Sequence, residues 1–237
     1  MKKITFTLLL TITFYSLNAQ NLQGAWESTT KINNANISLK NVTIFSSNHW
    51  ATTVFDDKTG YFYTTKGGSY ELNGNALTQI VAFDATNKDA VGKTITTEID
   101  LFENSFSVAN SKITYSRIDN GTPGDLAGAW LISGRKRDGE IQKRDTNRPR
   151  KTMKILSGTR FQWIAYNTET KEFLGTGGGI YTTKNGKYTE KIGFFSRDNS
   201  RVGASLQFDY SIENGDWHHS GLSSKGQPIY EIWTLRN

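Results

Sequence analysis

The chain has 237 residues, 36% hydrophobic and 12% aromatic, with 22 glycines, 3 prolines, no cysteine and a formal charge of +6. The absence of cysteine excludes a disulfide framework and a lipid anchor on a cysteine. Glycine far in excess of proline, together with many Thr, Tyr, Phe and Trp, favours short strands joined by tight turns over helices.

Lys2 and Lys3 precede an apolar stretch from Ile4 to Leu17 that is short for a bilayer span, and Ala19 supplies the small residue before an expected cut at Gln20. Residues 1–19 therefore read as a cleaved secretory signal. No later stretch is apolar and long enough for a membrane helix, so the mature chain is expected to be secreted or periplasmic and not an integral membrane protein.

A phrase then recurs 104 residues apart: Leu22-Gln23-Gly24-Ala25-Trp26 and Leu126-Ala127-Gly128-Ala129-Trp130. From Ile44 to Asn110 the first half aligns with Ile155 to Gly221 at a constant offset of 111, with 12 of 67 pairs identical. A fixed internal spacing marks a duplicated unit. The copies differ in length at two places, after Trp130 and between the last two strands. Residues 22–118 form the first unit, the turn-rich stretch 119–125 is a linker, and 126–237 form the second.

In the second unit, turn residues at Ser157-Gly158, Asn185-Gly186, Asn214-Gly215 and Lys225-Gly226 separate eight predicted strands. These lie near 127–134, 151–156, 159–167, 178–184, 187–195, 202–212, 216–221 and 229–236. Alternation is clear where Val202, Ala204, Leu206, Phe208, Tyr210 and Ile212 share one face. Eight antiparallel strands in about 100 residues favour a closed up-and-down barrel, because closure removes exposed edges; a sandwich is the competing architecture. The expected fold class is all-β, two tandem eight-stranded barrels.

Each unit opens on Gly-x-Trp and ends on a basic residue, Arg117 or Arg236. This pattern resembles the lipocalin and calycin superfamily, and the resemblance implies a first-strand Trp packed beneath a last-strand Arg at a barrel with a binding cavity. The second unit also resembles small secreted lipocalin-like proteins of Bacteroidetes through Gly177-Gly178-Gly179-Ile180-Tyr181, Tyr188-Thr189-Glu190, Phe194-Phe195, Val202-Gly203, Gly215-Asp216-Trp217-His218-His219 and Ile229-Tyr230-Glu231-Ile232-Trp233. That family implies a fold and a cavity and no known reaction.

Candidate functional residues follow from strand parity. Tyr188, Glu190, Ile192 and Phe194 share a face, as do Trp217 and His219, and Glu231 and Trp233, while Trp163 lies between Phe161 and Ala165. Trp163, Tyr181, Tyr188, Glu190, Phe194, Trp217, His219 and Glu231 are therefore expected to look into the second barrel. The first unit has Gln79 for Glu190, Val108 for His219, Thr52 for Trp163, Lys112 or Ile113 for Glu231, and keeps only Tyr70 for Tyr181. Buried acids and imidazoles need partners, so these groups either satisfy one another in a packed core or meet a ligand. His219, Glu190 and Glu231 are also the candidates for acid–base catalysis. A metal is not expected, because adjacent His218 and His219 point to opposite faces of a strand. The glycine run 175–179 reads as close backbone approach or a bulge.

Without Lys2 and Lys3 the chain carries net +4, and the segment 135–151 alone carries eight basic and three acidic residues. Such a loop could steer anionic ligands to the second barrel or simply be solvated. Because the charge is local, nucleic acid is not an expected partner. The leading expectation is a secreted lipocalin-like binding protein holding a small apolar, aromatic or anionic ligand, glycan-derived ones included, in the second barrel, with no cofactor. The alternatives are a secreted hydrolase, lyase or isomerase using His219 and Glu190, and a surface interaction module without a small ligand.

Overall fold

The computed structural model describes residues 21–32, 37–223 and 225–236. The segment expected to be the signal lies outside them. No helix among the described residues is long and apolar enough to cross a membrane.

The fold is all-β. The first unit is a closed barrel of β1 (Gly24–Ile32), β2 (Ile37–Phe45), β3 (His49–Asp56), β4 (Phe62–Asn73), β5 (Ala76–Asp84), β6 (Thr94–Leu101), β7 (Ser105–Val108) and β8 (Thr114–Asp119), with neighbours paired in chain order. The second comprises β9 (Gly128–Arg137), β10 (Glu140–Lys143), β11 (Arg150–Leu156), β12 (Arg160–Asn167), β13 (Phe173–Lys184), β14 (Lys187–Phe195), β15 (Ser205–Glu213), β16 (Asp216–Leu222) and β17 (Pro228–Leu235). Pairing of β17 with β9 closes this sheet into an eight-stranded antiparallel barrel, and β10 extends the sheet beyond the closure. The repeat is literal: β3, β4 and β5 recur as β12, β13 and β14 with both ends displaced by 111 residues.

Two departures from the expected strands have local causes. Val202 caps the end of a 3-10 turn over Asn199–Arg201, whose Ser200 N–H donates to the Asp198 side chain, and β15 starts at Ser205. The first barrel repeats this turn at Lys88–Ala90 under Asn87. The basic segment is partly a hairpin, because β9 runs on to Arg137 and returns as β10.

Trp26 and Trp130 close the barrel floors in the same way, each donating its indole N–H to a carbonyl four residues back, Leu22 at 2.8 Å and Leu126 at 2.9 Å. The Arg above them differs. The Arg117 guanidinium lies 3.9 Å from the Trp26 ring centre, as the resemblance implies. Leu235 takes that place across from Trp130, because the register shift falls between Ala25 and Trp26 in one barrel and between Ile232 and Trp233 in the other. Arg236 is thereby turned outward, where its Nη1 donates to the Tyr166 hydroxyl at 3.1 Å.

The outer faces of the two barrels pack on each other by equivalent residues. One buried cluster holds Ala25 with Ala129 and Ile44 with Ile155. Phe62 stacks on its own equivalent, Phe173, at 6.0 Å. Phe55 meets Phe194 at 5.0 Å and Phe83 meets Tyr166 at 5.0 Å, two contacts that the 111-residue offset interchanges. The interface is therefore an approximate twofold, of the kind a symmetric dimer uses, within one chain. Asp119 fixes the linker against the second barrel: its carboxylate accepts hydrogen bonds from the backbone N–H of Gly121, Gly158 and Thr159 and from the hydroxyls of Ser157 and Thr159.

Candidate functional site

The interior of the second barrel is built around a lysine that strand parity places there and that the sequence reading left out. Lys154, on β11, lies across from Trp130 and Trp163 and shares their face. Its Nζ is 2.7 Å from Glu190 Oε1, with both side chains 7% exposed. It also lies 5.0 Å from the Tyr188 and Trp217 ring centres and 5.4 Å from that of Trp233. Tyr188 donates its hydroxyl to the same Glu190 oxygen at 2.8 Å, and burial first, then Glu190, pushes that phenol well above its usual pKa.

A second pair lies beside the first. His219 Nδ1 is 3.3 Å from Glu231 Oε2, which also accepts from Trp233 Nε1 at 3.2 Å. Burial, then the Lys154 charge, lowers the His219 pKa against the pull of Glu231 and Glu190, which favours the neutral ring, and the tautomer protonated on Nδ1 is the one that donates to the Glu231 carboxylate. Burial works to raise the Glu231 carboxyl, yet the His219 bond and Lys154 outweigh it and hold it below its usual range. His219 Nε2 and Trp217 Nε1 are buried and have no hydrogen-bond partner.

Of the residues expected to look inward, Tyr181, Tyr188, Glu190, Trp217, His219, Glu231 and Trp163 share this barrel. Tyr181 is at the floor, donating to the Ser157 carbonyl at 2.6 Å, and Trp163 packs on Phe195 over Gly177. Phe194 does not join them. A bulge between Gly178 and Gly179, opposite Gly193, flips the parity of β14, so that Phe194 faces Phe55 and Phe62 of the first barrel and Phe195 turns inward. The glycine run is required by this close approach: a Cβ on Gly179 would lie 2.1 Å from the Lys191 carbonyl oxygen.

At the mouth of this barrel, the strand closure places Arg135 across from Glu231. Ile132, Arg135, Arg144, Arg148 and Arg150 line a recess of about 460 Å³ there. Arg144 is held below its usual pKa by burial first and then by the charges of Arg150, Arg135 and Arg148, the arginines with which it lines the recess. No ion pair to any of the four is present among the described residues.

The first barrel has the opposite interior. Thr43, Thr52, Leu77, Gln79, Phe106, Val108 and Tyr115 line a chamber of about 310 Å³. By offset these replace Lys154, Trp163, Tyr188, Glu190, Trp217 and His219, and Tyr115 stands for Trp233, since Phe106 pairs with Tyr115 as Trp217 pairs with Trp233. The same register identifies Ile113 as the counterpart of Glu231. Each replacement removes bulk or charge, Phe106 and Tyr115 included, since each stands where the second unit has a tryptophan, and the sum of those losses accompanies the chamber. Its polar groups form one network: Asn41 donates to the Tyr115 hydroxyl at 2.8 Å and accepts from Thr52, which accepts from Thr43. Trp50 also lines the chamber, 3% exposed, with an indole N–H that has no partner.

No group of three or more His, Cys, Asp or Glu side chains suited to a metal ion occurs among the described residues. Compared with known proteins, the chain matches no family model and no curated sequence. Its two eight-stranded antiparallel barrels fit a lipocalin-like fold.

Proposed function

We propose that this chain is a small-molecule binding protein of lipocalin-like descent, secreted after removal of residues 1–19, in which the first barrel holds the ligand. The observation that carries this reading is the Trp50 indole N–H, buried without a partner on the wall of a 310 Å³ chamber. An unmade buried hydrogen bond costs about 1–3 kcal/mol, and a ligand oxygen would recover it. Such a volume is at the lower end of small-molecule sites. The lining of Thr, Asn and Gln side chains among the Phe45, Phe106 and Tyr115 rings suits an uncharged ligand with hydroxyl or carbonyl groups on an apolar or ring-shaped body. Native mass spectrometry of the protein purified from its own host tests this: a bound neutral species, lost in Thr52→Trp, is the expected result. A ligand retained by Thr52→Trp would place binding elsewhere.

A second reading keeps an anionic ligand at the second barrel and is favoured by the four arginines around its mouth. An anion there would lie above Ile132, in the recess at the mouth. The enzyme alternative would route acid–base chemistry through His219 and Glu190. These are engaged with different partners, Glu231 and Lys154, and His219 is 2% exposed, so a substrate atom would first have to displace part of the core. A histidine that turned over substrate would make His219→Gln inactive, whereas in a carrier the change weakens binding or stability alone.

A further inference from the structure

The approximate twofold between the barrels creates two equivalent clefts beside its axis, and the chain treats them differently. One is occupied from within. Arg236, the end of the last strand turned outward by the β17 register, reaches the Tyr166 hydroxyl at 3.1 Å and Met153 Sδ at 3.5 Å, and its charge acts on His49. The 111-residue offset carries Tyr166, Met153 and His49 to Phe55, Val42 and Arg160. Those three line the other cleft, which is open with a volume of about 230 Å³. Val42 is shorter than Met153 and Phe55 lacks the hydroxyl. The first barrel's last strand keeps its arginine, Arg117, on Trp26.

The open cleft also reverses the charge pattern of its wall. Arg160, Ile180 and Lys191 are neighbours in one row across β12, β13 and β14. Their counterparts in the occupied cleft are His49, Ser69 and Ile80, and burial with the Arg236 charge holds His49 neutral, its pKa lowered to about 4. The two cations are thus set about 10 Å apart, two strand spacings, with an exposed isoleucine between them. Lys191 has no ion-pair partner among the described residues, and Lys40 across the cleft is committed to Asp57 at 2.7 Å. Glu27 is the one acid on the lining; it and Asp119 attract Arg160, whose Nη1 also donates to the Thr159 hydroxyl at 3.1 Å, so Lys191 is the less committed of the two cations.

We propose that this cleft is a second binding site, for an amphipathic organic anion: a compact apolar or aromatic body seated against Val42, Ile44 and Phe55, with its carboxylate, or an anion of equivalent charge, over Ile180 between Arg160 and Lys191. The volume admits roughly eight to twelve non-hydrogen atoms. Where the occupied cleft satisfies itself with a cation, the open one presents cations to a ligand. The site is separate from the first-barrel chamber and does not depend on it.

The probes are 3-phenylpropionate and the matching neutral alcohol, 3-phenylpropan-1-ol, titrated into the full chain at low salt and followed by calorimetry and ligand-detected NMR. The carboxylate is expected to bind with a Kd of about 1 mM or tighter. Lys191→Gln is expected to weaken it about threefold to tenfold and leave the alcohol unchanged, as the loss of one solvent-accessible charge contact does. Val42→Trp, which fills the cleft, should abolish binding of both. Should Val42→Trp fail to fold by circular dichroism, Ile180→Gln at the exposed rim replaces it and should weaken both probes. Thr52→Trp, which fills the chamber, and Arg148→Gln, at the mouth of the second barrel, should leave both probes unaffected. The proposal is overturned if the carboxylate shows no binding up to about 10 mM. It is equally overturned if Lys191→Gln affects acid and alcohol alike, or if cleft filling leaves binding intact.

Discussion

Lys154 and Glu190, 36 residues apart in the chain, meet at 2.7 Å inside the second barrel with both side chains 7% exposed. A buried ion pair is strongly destabilised when one partner is removed, because the other charge is left without compensation. Glu190→Gln should lower unfolding free energy by about 3–5 kcal/mol in urea titrations, and Lys154→Met by a similar amount. Lys154→Met combined with Glu190→Gln should recover most of that loss. A single Glu190→Gln change within about 0.5 kcal/mol of the parent would show that the pair does not hold this core together.

His49 gives the fold a dependence on acid. It is 4% exposed, and burial followed by the Arg236 charge lowers its pKa to about 4. The unfolded chain therefore binds this proton more readily than the folded one, so stability is complete above the ordinary pKa of 6.5 and falls as pH drops from there towards 4. The full loss is about 3 kcal/mol. His219, lowered chiefly by its burial, adds to the trend in the same direction. Melting temperatures of His49→Gln between pH 7 and pH 4 should fall less steeply than those of the parent, and parallel curves would refute the assignment.

Arg117 does more than cover Trp26. Its Nη1 donates to the Gln23 carbonyl at 2.9 Å, its Nη2 to that of Asn21 at 2.8 Å and its Nε to that of Glu103 at 2.6 Å. Three directed donors on a planar fork are not reproduced by an ammonium. Arg117→Lys should therefore cost nearly as much as Arg117→Ala, about 2 kcal/mol by thermal or chemical melting. Rescue by lysine would mean that charge over the ring, rather than the fork, is what matters.

The arginines at the second mouth make a separate expectation for the anionic reading. Inorganic sulfate at low ionic strength should raise the melting temperature of the parent and not that of Arg135→Gln combined with Arg150→Gln, since a ligand that binds only the native state stabilises it by mass action. The effect should fade by about 0.5 M sodium chloride, where screening shortens the reach of these charges. A sulfate response equal in both proteins would remove the mouth from consideration.

Both barrels were legible in the sequence because the information is local and repeated. Turn residues set the strand ends, alternation set their faces, and the constant offset of 111 carried the second unit onto the first closely enough that β3 to β5 recur as β12 to β14 at both ends. Parity alone brought Tyr188, Glu190, Trp217, His219 and Glu231 into one interior. It would have added Lys154, which alternates with Leu156 on β11; a lysine is ordinarily a surface residue, and that prior hid it.

What parity could not supply, tertiary structure decided. A bulge opposite Gly193 sent Phe194 to the other barrel, and a shift of one residue in the closing register moved Arg236 from the floor to the interface. Interior volume is likewise a property of all eight strands at once. Counterparts that look like losses in the first unit, Thr43 for Lys154, Gln79 for Glu190 and Val108 for His219, become a chamber only when the barrel closes around them. The same closure buries the richer side chains of the second unit against one another, with Lys154 among the Tyr188, Trp217 and Trp233 rings. The pairing of the two barrels across an approximate twofold is not written in either copy, because it arises from outer faces meeting their own equivalents. The sequence by itself determined that one scaffold is used twice; the packing of the copies, and which spaces stay open, followed from contacts between residues far apart in the chain.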